Sequence, residues 1–411
     1  MTSNDNRSKP PASRANPTST VSNGRRSVLK AGGALALGSI AAMAAGCGGG
    51  DSEIGGDGTL TLQSIFIADA VSHGYNYTVE NSFDPTFGPL VGDTLYQQAH
   101  VALQPDAPQW KLSKERFMLA NDPGLVGNAL FKESPTDFTV YHEVPFFGFF
   151  RDGSSSIEVG KAMRQIYGAD RVAIYGGVSP LQPDAMARMD SLARTPGVVG
   201  LKLYPGDVIN AQFQPEPMSD RVNTFPIIER ARQMGLKSIA VHKAFSLSST
   251  NDLTPFNVTD VTVAALAFPD MHFEIVHGGQ AFLPETIAVL RACPNVSISL
   301  EGPSAFVIKQ PDAFARIMAA FLSVDPKAER VIWSTGCMLV HPRPFIEAFW
   351  AFQFPKAMLD AGTPPLTLEM KQRILGGNLA RVLGIPTAQQ ARLVAAKPTT
   401  YATPWSGGAS A

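Results

Sequence analysis

The chain has 411 residues, 45% of them hydrophobic and 17% charged, and its formal net charge is −1 at pH 7. A chain of this kind can bury a large core, and without a basic cluster it gives no support for nucleic acid as a partner. Three cysteines with no C-x-x-C spacing argue against a disulfide framework and a cysteine-based metal site.

The first 46 residues resemble an export signal. The pair Arg25-Arg26 precedes an uncharged apolar run at 31–45, which is too short to span a bilayer as a helix. Paired arginines before such a run resemble a twin-arginine signal, and the Ala-Ala-Gly-Cys47 at its end resembles a lipoprotein signal box. We therefore expect acylation of Cys47, with ordinary cleavage near Ala45 as the alternative.

Residues 47–58 are rich in glycine and are expected to tether the rest of the chain. The first 46 residues hold six of the 34 basic and one of the 35 acidic side chains, so the chain without them has a net charge near −6. We expect an exported protein of a bacterial cell envelope that touches the membrane only through its lipid anchor. One domain is expected at 59–397 and a loosely held tail at 398–411, and a homo-oligomer is left open.

Eight short runs rich in Val and Ile alternate with segments of helical length, which is typical of parallel strands joined by crossover helices. We predict strands at 64–71, 138–145, 171–179, 198–205, 238–244, 272–279, 296–302 and 330–337. Right-handed crossovers then close the eight units into a (β/α)8 TIM barrel, a fold of the α/β class. The irregular stretch 76–134 predicts an insertion over the barrel mouth, between strands 1 and 2.

The segments between the strands contain the predicted helices. They lie at 123–131, 157–167, 183–194, 223–234, 284–291 and 313–321, several with Pro or Asp in the first turn. Beyond the last strand, residues 367–383 predict two short helices separated by Gly376 and Gly377.

Polar side chains gather at the carboxyl ends of the predicted strands, where barrels of this type place their active sites. His73, His242 and His277 follow strands 1, 5 and 6. Alternation along strands 4, 5 and 7 directs Lys202, His242 and Glu301 into the lumen, whereas the mixed faces of strand 6 leave the direction of His277 undecided. Because such groups are costly to bury unless they pair or hold an ion, we predict a metal-assisted site.

The other histidines and one lysine are weighed separately. His272 begins strand 6 at the opposite end of the barrel and is expected to be structural. His100 lies in the insertion, and both a structural and a functional role are open for it, as they are for His142 at the end of strand 2. Lys243 is expected to face the helix layer or a loop.

The order of these motifs resembles the amidohydrolase-related proteins, which include metal-dependent hydrolases and the decarboxylases of the aminocarboxymuconate-semialdehyde type. The resemblance runs from about residue 64 to 383. It rests on Asp69…His73, Gly-Leu-Lys-Leu-Tyr-Pro at 200–205, Val-His at 241–242, Val-His-Gly-Gly at 276–279 and Ile-Leu-Gly-Gly-Asn-Leu-Ala-Arg-Val-Leu-Gly at 374–384.

The resemblance implies a ligand set for a divalent ion, with zinc as the expected metal. His73 matches the second histidine of a strand-1 pair, and His242 and His277 match the histidines of strands 5 and 6. The first histidine of the pair and the strand-8 aspartate are replaced by Val71 and Gly336. Two expected ligands are therefore absent.

Three residues are candidates to compensate for this loss. Glu301 on strand 7 could serve as a further metal ligand. Lys202, within Lys-Leu-Tyr-Pro, resembles the carboxylated lysine of dihydroorotase, and His341, just past strand 8, could replace the lost aspartate or contact substrate. His277 or His341 would move the proton in catalysis, since imidazole titrates near neutral pH.

We therefore expect a metal-dependent hydrolase that acts on a small organic substrate. The ion would activate a water molecule and polarise the substrate carbonyl. A carbon–carbon lyase that releases carbon dioxide on the same scaffold is the first alternative. The second is a surface lipoprotein that kept the barrel and lost catalysis, which the residues Val71 and Gly336 favour and the inward Lys202 and Glu301 disfavour.

Overall fold

The computed structural model describes residues 60–210, 212–243 and 254–406. The predicted signal at 1–46, the tether at 47–58 with Cys47, and residues 407–411 lie outside the described residues. Within the three described ranges, none of the helices is both long and apolar enough to cross a bilayer.

Eight parallel strands form a barrel, as the sequence predicts. In chain order, β1 to β8 are Ala68–Ser72, Phe138–His142, Val172–Gly177, Val198–Leu203, Ser238–His242, His272–Val276, Val296–Ser299 and Val331–Ile332. Each strand pairs with the next one along the chain. The ring closes beyond β8, where the amide of Ala70 donates to the carbonyl of Trp333 and the amide of His73 to the carbonyl of Cys337.

The alternation of side chains along the strands divides the core into two layers. Leu201, Ile239 and Ile298 belong to the large apolar cluster between the strands and the helices. Ala240 and Val276 belong to a smaller cluster inside the barrel. The two clusters thus show which residues of each strand face the helices and which face the lumen.

The helices form the outer layer and the two ends of the barrel. In chain order, α1 to α15 are Phe87–Tyr96, Lys114–Met118, Pro123–Phe131, Ile157–Tyr167, Ala185–Ala193, Thr224–Gln233, Thr259–Ala267, Leu283–Ala292, Phe306–Lys309, Pro311–Leu322, Pro342–Ala351, Lys356–Asp360, Leu368–Gln372, Asn378–Leu383 and Thr387–Ala395. Short 3-10 segments lie at Pro108–Trp110, Thr254–Phe256, His277–Phe282 and Pro303–Ala305, and π-helical ones at Gln97–Leu103 and Arg373–Gly377. All six predicted helices are present, with small shifts at some ends.

α4 illustrates why these segments are helical. The hydroxyl of Ser156 accepts a hydrogen bond from the amide of Glu158 at the start of the helix, which satisfies a donor that the first turn leaves free. Val159 and Met163, one turn apart, are buried on the same face. The helix is thus held by its cap at one end and by one apolar stripe against the barrel.

The region between β1 and β2 is an insertion on the mouth side of the barrel, as expected. Nε2 of His100 donates to the carbonyl of Met338, beyond β8, over 3.0 Å. The ring of Phe87 stacks on that of Phe149, beyond β2, with centroids 4.3 Å apart. Because both partners follow the carboxyl ends of strands, the insertion covers part of the rim.

A second rim element, which was not predicted, is the antiparallel hairpin of Gly206–Ile209 with Gln212–Pro215 after β4. The carboxylate of Asp207 accepts the amide of Gly148. Oε1 of Glu216 accepts the hydroxyl of Ser179 over 2.5 Å. The hairpin is therefore tied to the loops that follow β2 and β3.

The predicted break at Gly376 and Gly377 is wrong. The helical path from 368 to 383 is continuous through a π-helical turn, and Gly377 has helical angles of φ −60° and ψ −40°. Gly376 serves a close approach instead, because a Cβ there would lie 2.3 Å from the backbone oxygen of Phe66. The glycines let this helix pack tightly against the segment that enters β1.

The expected loose tail is also wrong for residues 398–406. The amides of Trp405 and Ser406 both donate to the carboxylate of Glu133, which lies just past α3 and is fully buried. The indole of Trp405 donates to the carbonyl of Trp110 over 2.8 Å. This part of the chain is a packed element of the domain.

Candidate active site

Simple alternation brings two of the predicted residues into the barrel mouth. Ile239 and Val241 of β5 face the helices, so His242 at the end of that strand faces the lumen. Val296, Ile298 and Leu300 face the helices in the same way. Glu301 therefore enters the mouth one residue later, as the sequence predicted.

His73 reaches the lumen through an irregularity in β1. The register with β2 shifts between Asp69 and Ser72, which is the signature of a β-bulge and turns the side chains beyond it by one position. Ile67 faces the helices, whereas Val71 belongs to the cluster inside the barrel. The bulge thus aims both Val71 and His73 at the mouth.

His277 reaches the mouth by a different device. Phe273 and Ile275 of β6 face the helices, so strict alternation would turn residue 277 outward as well. His277 instead has φ +66°, a left-handed conformation that non-glycine residues seldom adopt. This turn redirects the ring inward, and strain of this type is concentrated at functional sites.

The four predicted mouth residues form a contiguous chain of polar contacts. Nε2 of His73 lies 3.4 Å from Oε1 of Glu301. Oε2 of Glu301 lies 3.8 Å from Nδ1 of His277, and Nε2 of His277 lies 3.0 Å from Nδ1 of His242. We call these residues the mouth cluster, and all four are buried.

Aromatic rings hold the imidazoles of the mouth cluster in fixed planes. The ring of Tyr204 stacks on that of His242 with centroids 4.6 Å apart. The ring of Tyr75 stacks on that of His73 at 4.9 Å. Flat rings packed face to face resist rotation, so both imidazoles are preorganised.

Charges within the cluster keep the Glu301 carboxyl ionised. Burial alone would raise its pKa, but His277, the contact with His73 and the charge of Lys202 together lower that pKa to about 2. Burial lowers the pKa of His277 to about 4, against the opposing effect of Glu301. Burial also lowers the pKa of His242 well below its ordinary value, so both rings are neutral at pH 7.

The edge between His73 and Glu301 has the chemistry of a cation site. Nδ1 of His73 lies 3.1 Å from the backbone oxygen of His142, which can only accept, so a neutral ring carries its proton on Nδ1. Nε2 then turns a lone pair toward Oε1 of Glu301. A buried carboxylate facing such a lone pair requires a cation between them, either a proton or a metal ion.

Gly336 explains how the Glu301 carboxylate takes the place of the strand-8 aspartate that the family resemblance implies. A Cβ at position 336 would lie 2.5 Å from Oε1 and 3.0 Å from Cδ of Glu301. The carboxylate of Glu301 therefore occupies the space where a side chain at 336 would begin. The structure places one carboxylate at this point of the mouth, supplied by β7 instead of β8.

The cluster does not, however, form a complete set of metal ligands as it stands. In the described parts of the chain, no group of three or more His, Cys, Asp or Glu side chains converges so as to hold a metal ion. His242 is bonded to His277 instead of turning toward the edge between His73 and Glu301. The nitrogen and carboxylate donors suit a divalent ion. Of the four predicted ligands, however, only His73 and Glu301 face each other with His277 beside them.

His341, a predicted catalytic residue, lies apart from the mouth cluster. Its Nε2 lies 3.2 Å from Oε2 of Glu133, and its Nδ1 accepts the amide of Arg343 at the start of α11. The ring packs against those of Trp110 and Trp405. These contacts give His341 a place in the packing between the insertion and the C-terminal residues.

The remaining titratable residues fall into structural and lumenal positions. Lys243 faces the helices, where its Nζ donates to the carboxylate of Asp260 over 2.7 Å. Both ring nitrogens of His100 serve backbone groups. His142, whose role the sequence left open, is fully buried with its ring 6.0 Å from that of His73, and the hydrogen bond from His73 to its backbone makes it part of the support of the site.

Lys202 lies in the lumen, as predicted, and is fully buried. Its Nζ is 5.4 Å from the centroid of the Tyr204 ring. Burial lowers its pKa to about 8, although Glu301 and Glu274 oppose this shift. Glu274 is a lumenal carboxyl that the sequence reasoning missed. The alternation of Phe273 and Ile275 with polar neighbours was the signal that pointed to it.

Comparisons with known proteins agree with this architecture. A family model described as Amidohydrolase matches residues 146–385, and no curated protein matches the sequence. A TIM-barrel protein from Bordetella bronchiseptica is 18% identical, with a TM-score of 0.54 over 80% of this chain and 100% of that chain. The 5-carboxyvanillate decarboxylase of Novosphingobium aromaticivorans, solved with manganese, is 13% identical, with a TM-score of 0.49 over 80% of this chain and 100% of that chain.

At 18% identity, the Bordetella bronchiseptica structure establishes the fold alone, a TIM barrel. The family model reaches further, because it spans more than half of the chain. Its match includes the strands that carry Lys202, His242 and Glu301. The chain therefore belongs to the amidohydrolase family.

Proposed function

We propose that this protein is a metal-dependent hydrolase that acts on a small organic substrate in the barrel mouth. Membership of the amidohydrolase family supports a divalent ion as part of the site. The observation that carries the proposal is the position of the Glu301 carboxylate. It fills the space beside Gly336 and faces both His73 and His277.

In this proposal His73, Glu301 and His277 would hold the ion, through Nε2, the carboxylate and Nδ1. The ion, for which zinc is the expected metal, would lower the pKa of a coordinated water toward about 7 and polarise a carbonyl oxygen. His242, predicted from the sequence as a ligand, would instead orient His277 by accepting its Nε2 proton at Nδ1.

The tautomers of the two histidines then define a hydrogen-bond donor. With Nδ1 of His242 as acceptor, a neutral ring carries its proton on Nε2. That N–H can donate a hydrogen bond to a reacting oxygen, and the stacked Tyr204 ring keeps the direction of donation fixed. Neutral His242 is thus a hydrogen-bond donor in this proposal, and the aromatic ring positions it.

The first test is metal content. We expect about one equivalent of divalent metal per chain, measured by elemental analysis after loading with zinc or manganese. H73A and E301Q should lose it, whereas H272A, a histidine of the same barrel at the opposite end, should retain it. Thermal unfolding of each variant checks that the fold is kept. Retention of the metal by H73A, or none in the parent chain, would contradict the proposal.

The second test is the reaction. A panel of esters, lactones and amides is assayed for acid release, and aromatic and unsaturated carboxylic acids are assayed for release of carbon dioxide. Hydrolysis that is lost in H242A and H73A supports the proposal. Carbon dioxide release would identify a lyase on the same scaffold, and ligand binding without turnover would identify a barrel that has lost catalysis.

A further inference from the structure

A row of side chains crosses the lumen directly beneath the mouth cluster. The sheet register pairs Lys202 of β4 with Ala240 of β5, and Ala240 with Glu274 of β6. Ala240 faces the lumen, so Lys202 and Glu274 enter it at the same level with only a methyl group between them. His242 lies two residues beyond Ala240, so this row is one layer below the cluster.

The polar groups of this row have few hydrogen bonds. Lys202 and Glu274 are fully buried. Among the residues that the structure describes, neither Nζ of Lys202 nor the carboxylate oxygens of Glu274 make a hydrogen bond of normal geometry. Ser297 of β7 pairs with Glu274 in the register, and its hydroxyl likewise makes no such hydrogen bond. Buried polar groups of this kind are normally served by internal water.

The charges in the lumen do not balance if every group is ionised. Glu274 faces Lys202 from β4, Glu301 from β7 and the phenol of Tyr175 from β3. One ammonium can neutralise one carboxylate, and the contacts with His277 and His73 favour the charge on Glu301. The second carboxyl, that of Glu274, is then most stable with its proton.

The pKa values agree with this balance of charge. Burial raises the pKa of Glu274 to about 7, against the opposing effect of Lys202 and a nearby Ser299 hydroxyl. Burial lowers the pKa of Lys202 to about 8. Both groups therefore change charge near neutral pH, where the imidazoles of His242 and His277, with their lowered pKa values, do not.

We propose that Glu274 and Lys202 form a proton reservoir in the barrel lumen, joined to the mouth cluster by internal water. The neutral Glu274 acid passes its proton to the cluster through that water and becomes a carboxylate beside the Lys202 ammonium. The reverse step returns the proton. The reservoir follows from the lumen itself, and only its use in turnover rests on the proposed function.

Infrared spectroscopy tests the reservoir without substrate or metal. A protonated carboxylic acid has a carbonyl stretching band that is separate from those of carboxylates and amides. We expect the difference between the parent chain and E274Q to contain such a band, disappearing with a midpoint near pH 7 as the pH rises. E229Q is the control, because Glu229 lies outside the lumen and its lowered pKa leaves it without a protonated-acid band near pH 7, so the band of Glu274 should be unchanged.

Substitution of Lys202 tests the coupling within the pair. In K202M the band of Glu274 should persist to a pH about one unit or more higher, because the ammonium that favours its ionisation is gone. K202R keeps the charge and should keep the midpoint. These variants also report on Glu274 if E274Q does not fold.

Two results would overturn the reservoir. One is a spectrum of E274Q that matches the parent at every pH, and the other is an unchanged midpoint in K202M. Neither result depends on metal content, so failure of the hydrolase proposal and failure of the reservoir are distinguishable. Once an activity is found, E274Q should shift the pH profile of kcat more than it changes KM.

Discussion

At the scale of single residues, positions 301 and 336 share one space in the barrel mouth, which only one side chain can fill. The Glu301 carboxylate lies where a side chain at 336 would begin, and Gly336 itself has φ +65°. Glycine at 336 is therefore required both by its conformation and by its neighbour. A carboxylate at each of the two positions cannot be accommodated together.

This shared space predicts how an aspartate at 336 changes the stability of the protein. G336D should lower the free energy of unfolding by about 2–4 kcal/mol, because it adds crowding against Glu301 to a left-handed backbone. E301A should relieve part of that loss, so the double variant is more stable than the sum of the single effects by about 1 kcal/mol or more. Urea denaturation of the three variants measures this coupling.

G362D is the matched control for the backbone cost. Gly362 has φ +95°, and nothing lies within 4 Å of a Cβ placed there. Its substitution therefore reports the conformational cost without the crowding. If E301A rescues G336D no better than it rescues G362D, the two positions do not share one space.

His277 gives a second prediction at the residue scale. Because its φ is +66°, the H277G variant should be more stable than H277A by about 1 kcal/mol, although both lose the imidazole. Chemical denaturation of the two variants measures the difference. At His272, which starts the extended strand β6, the order should reverse, because glycine weakens a strand. Equal stabilities of H277G and H277A would contradict a strained backbone at this position.

At the scale of elements, the hairpin after β4 is fastened to the rim by carboxyl groups. Burial raises the pKa of Glu216 to about 8, although the bonds from Ser179 and Leu181 oppose the shift. Burial likewise raises the pKa of Asp207 to about 6, against the bonds from Gln182, Val208 and Gly148. The cost of burial outweighs these bonds, so the folded state is most stable when both acids hold their protons.

This predicts a pH-dependent effect of E216Q. The folded pKa of Glu216 lies above its ordinary value of 4.5, so the parent chain loses stability as pH rises from about 4.5 to about 8. A glutamine at 216 does not titrate, so E216Q does not lose stability in this way. Its stability relative to the parent should rise across this window by on the order of a few kcal/mol, measured by denaturation at both ends.

E229Q is the control, since Glu229 lies at the surface and the hydrogen bond from Arg232 lowers its pKa. Its effect on stability should have the opposite sign and be small, because solvent screens it. A parallel response of E216Q and E229Q would show that burial does not govern the Glu216 carboxyl.

At the scale of the whole molecule, the last described residues close the domain. Oε1 of Glu133 accepts the amide and the hydroxyl of Ser406, and Oε2 accepts the amide of Trp405. Lys397 donates to the carbonyls of Leu62 and Ile65 and pairs with Asp137. The two ends of the described chain are thus joined through buried charges.

A chain truncated after Pro404 tests this closure. It should lose about 3–5 kcal/mol of the free energy of unfolding, because Glu133 would remain buried without three of its donors. A chain truncated after Ser406 keeps these bonds and should match the parent. E133Q in the truncated chain should recover part of the loss, because an amide leaves fewer buried acceptors without a donor than a carboxylate does.

The sequence by itself determined what depends on local periodicity. The eight strands and six of the helices follow from alternating and helical patterns, and the inward direction of Lys202, His242 and Glu301 follows from strand parity. Parity is a property of a strand's own residues, so it survives without knowledge of the neighbours.

Only the tertiary structure decided the features that break or combine those patterns. The bulge that turns His73 inward and the left-handed conformation of His277 are held by contacts with other strands, so no local pattern reports them. The same is true of the carboxylate of Glu301 beside Gly336, the pairing of His341 with Glu133, and the row of Lys202 and Glu274. Each of these depends on which distant segment lies alongside, and that is set by packing and sheet register.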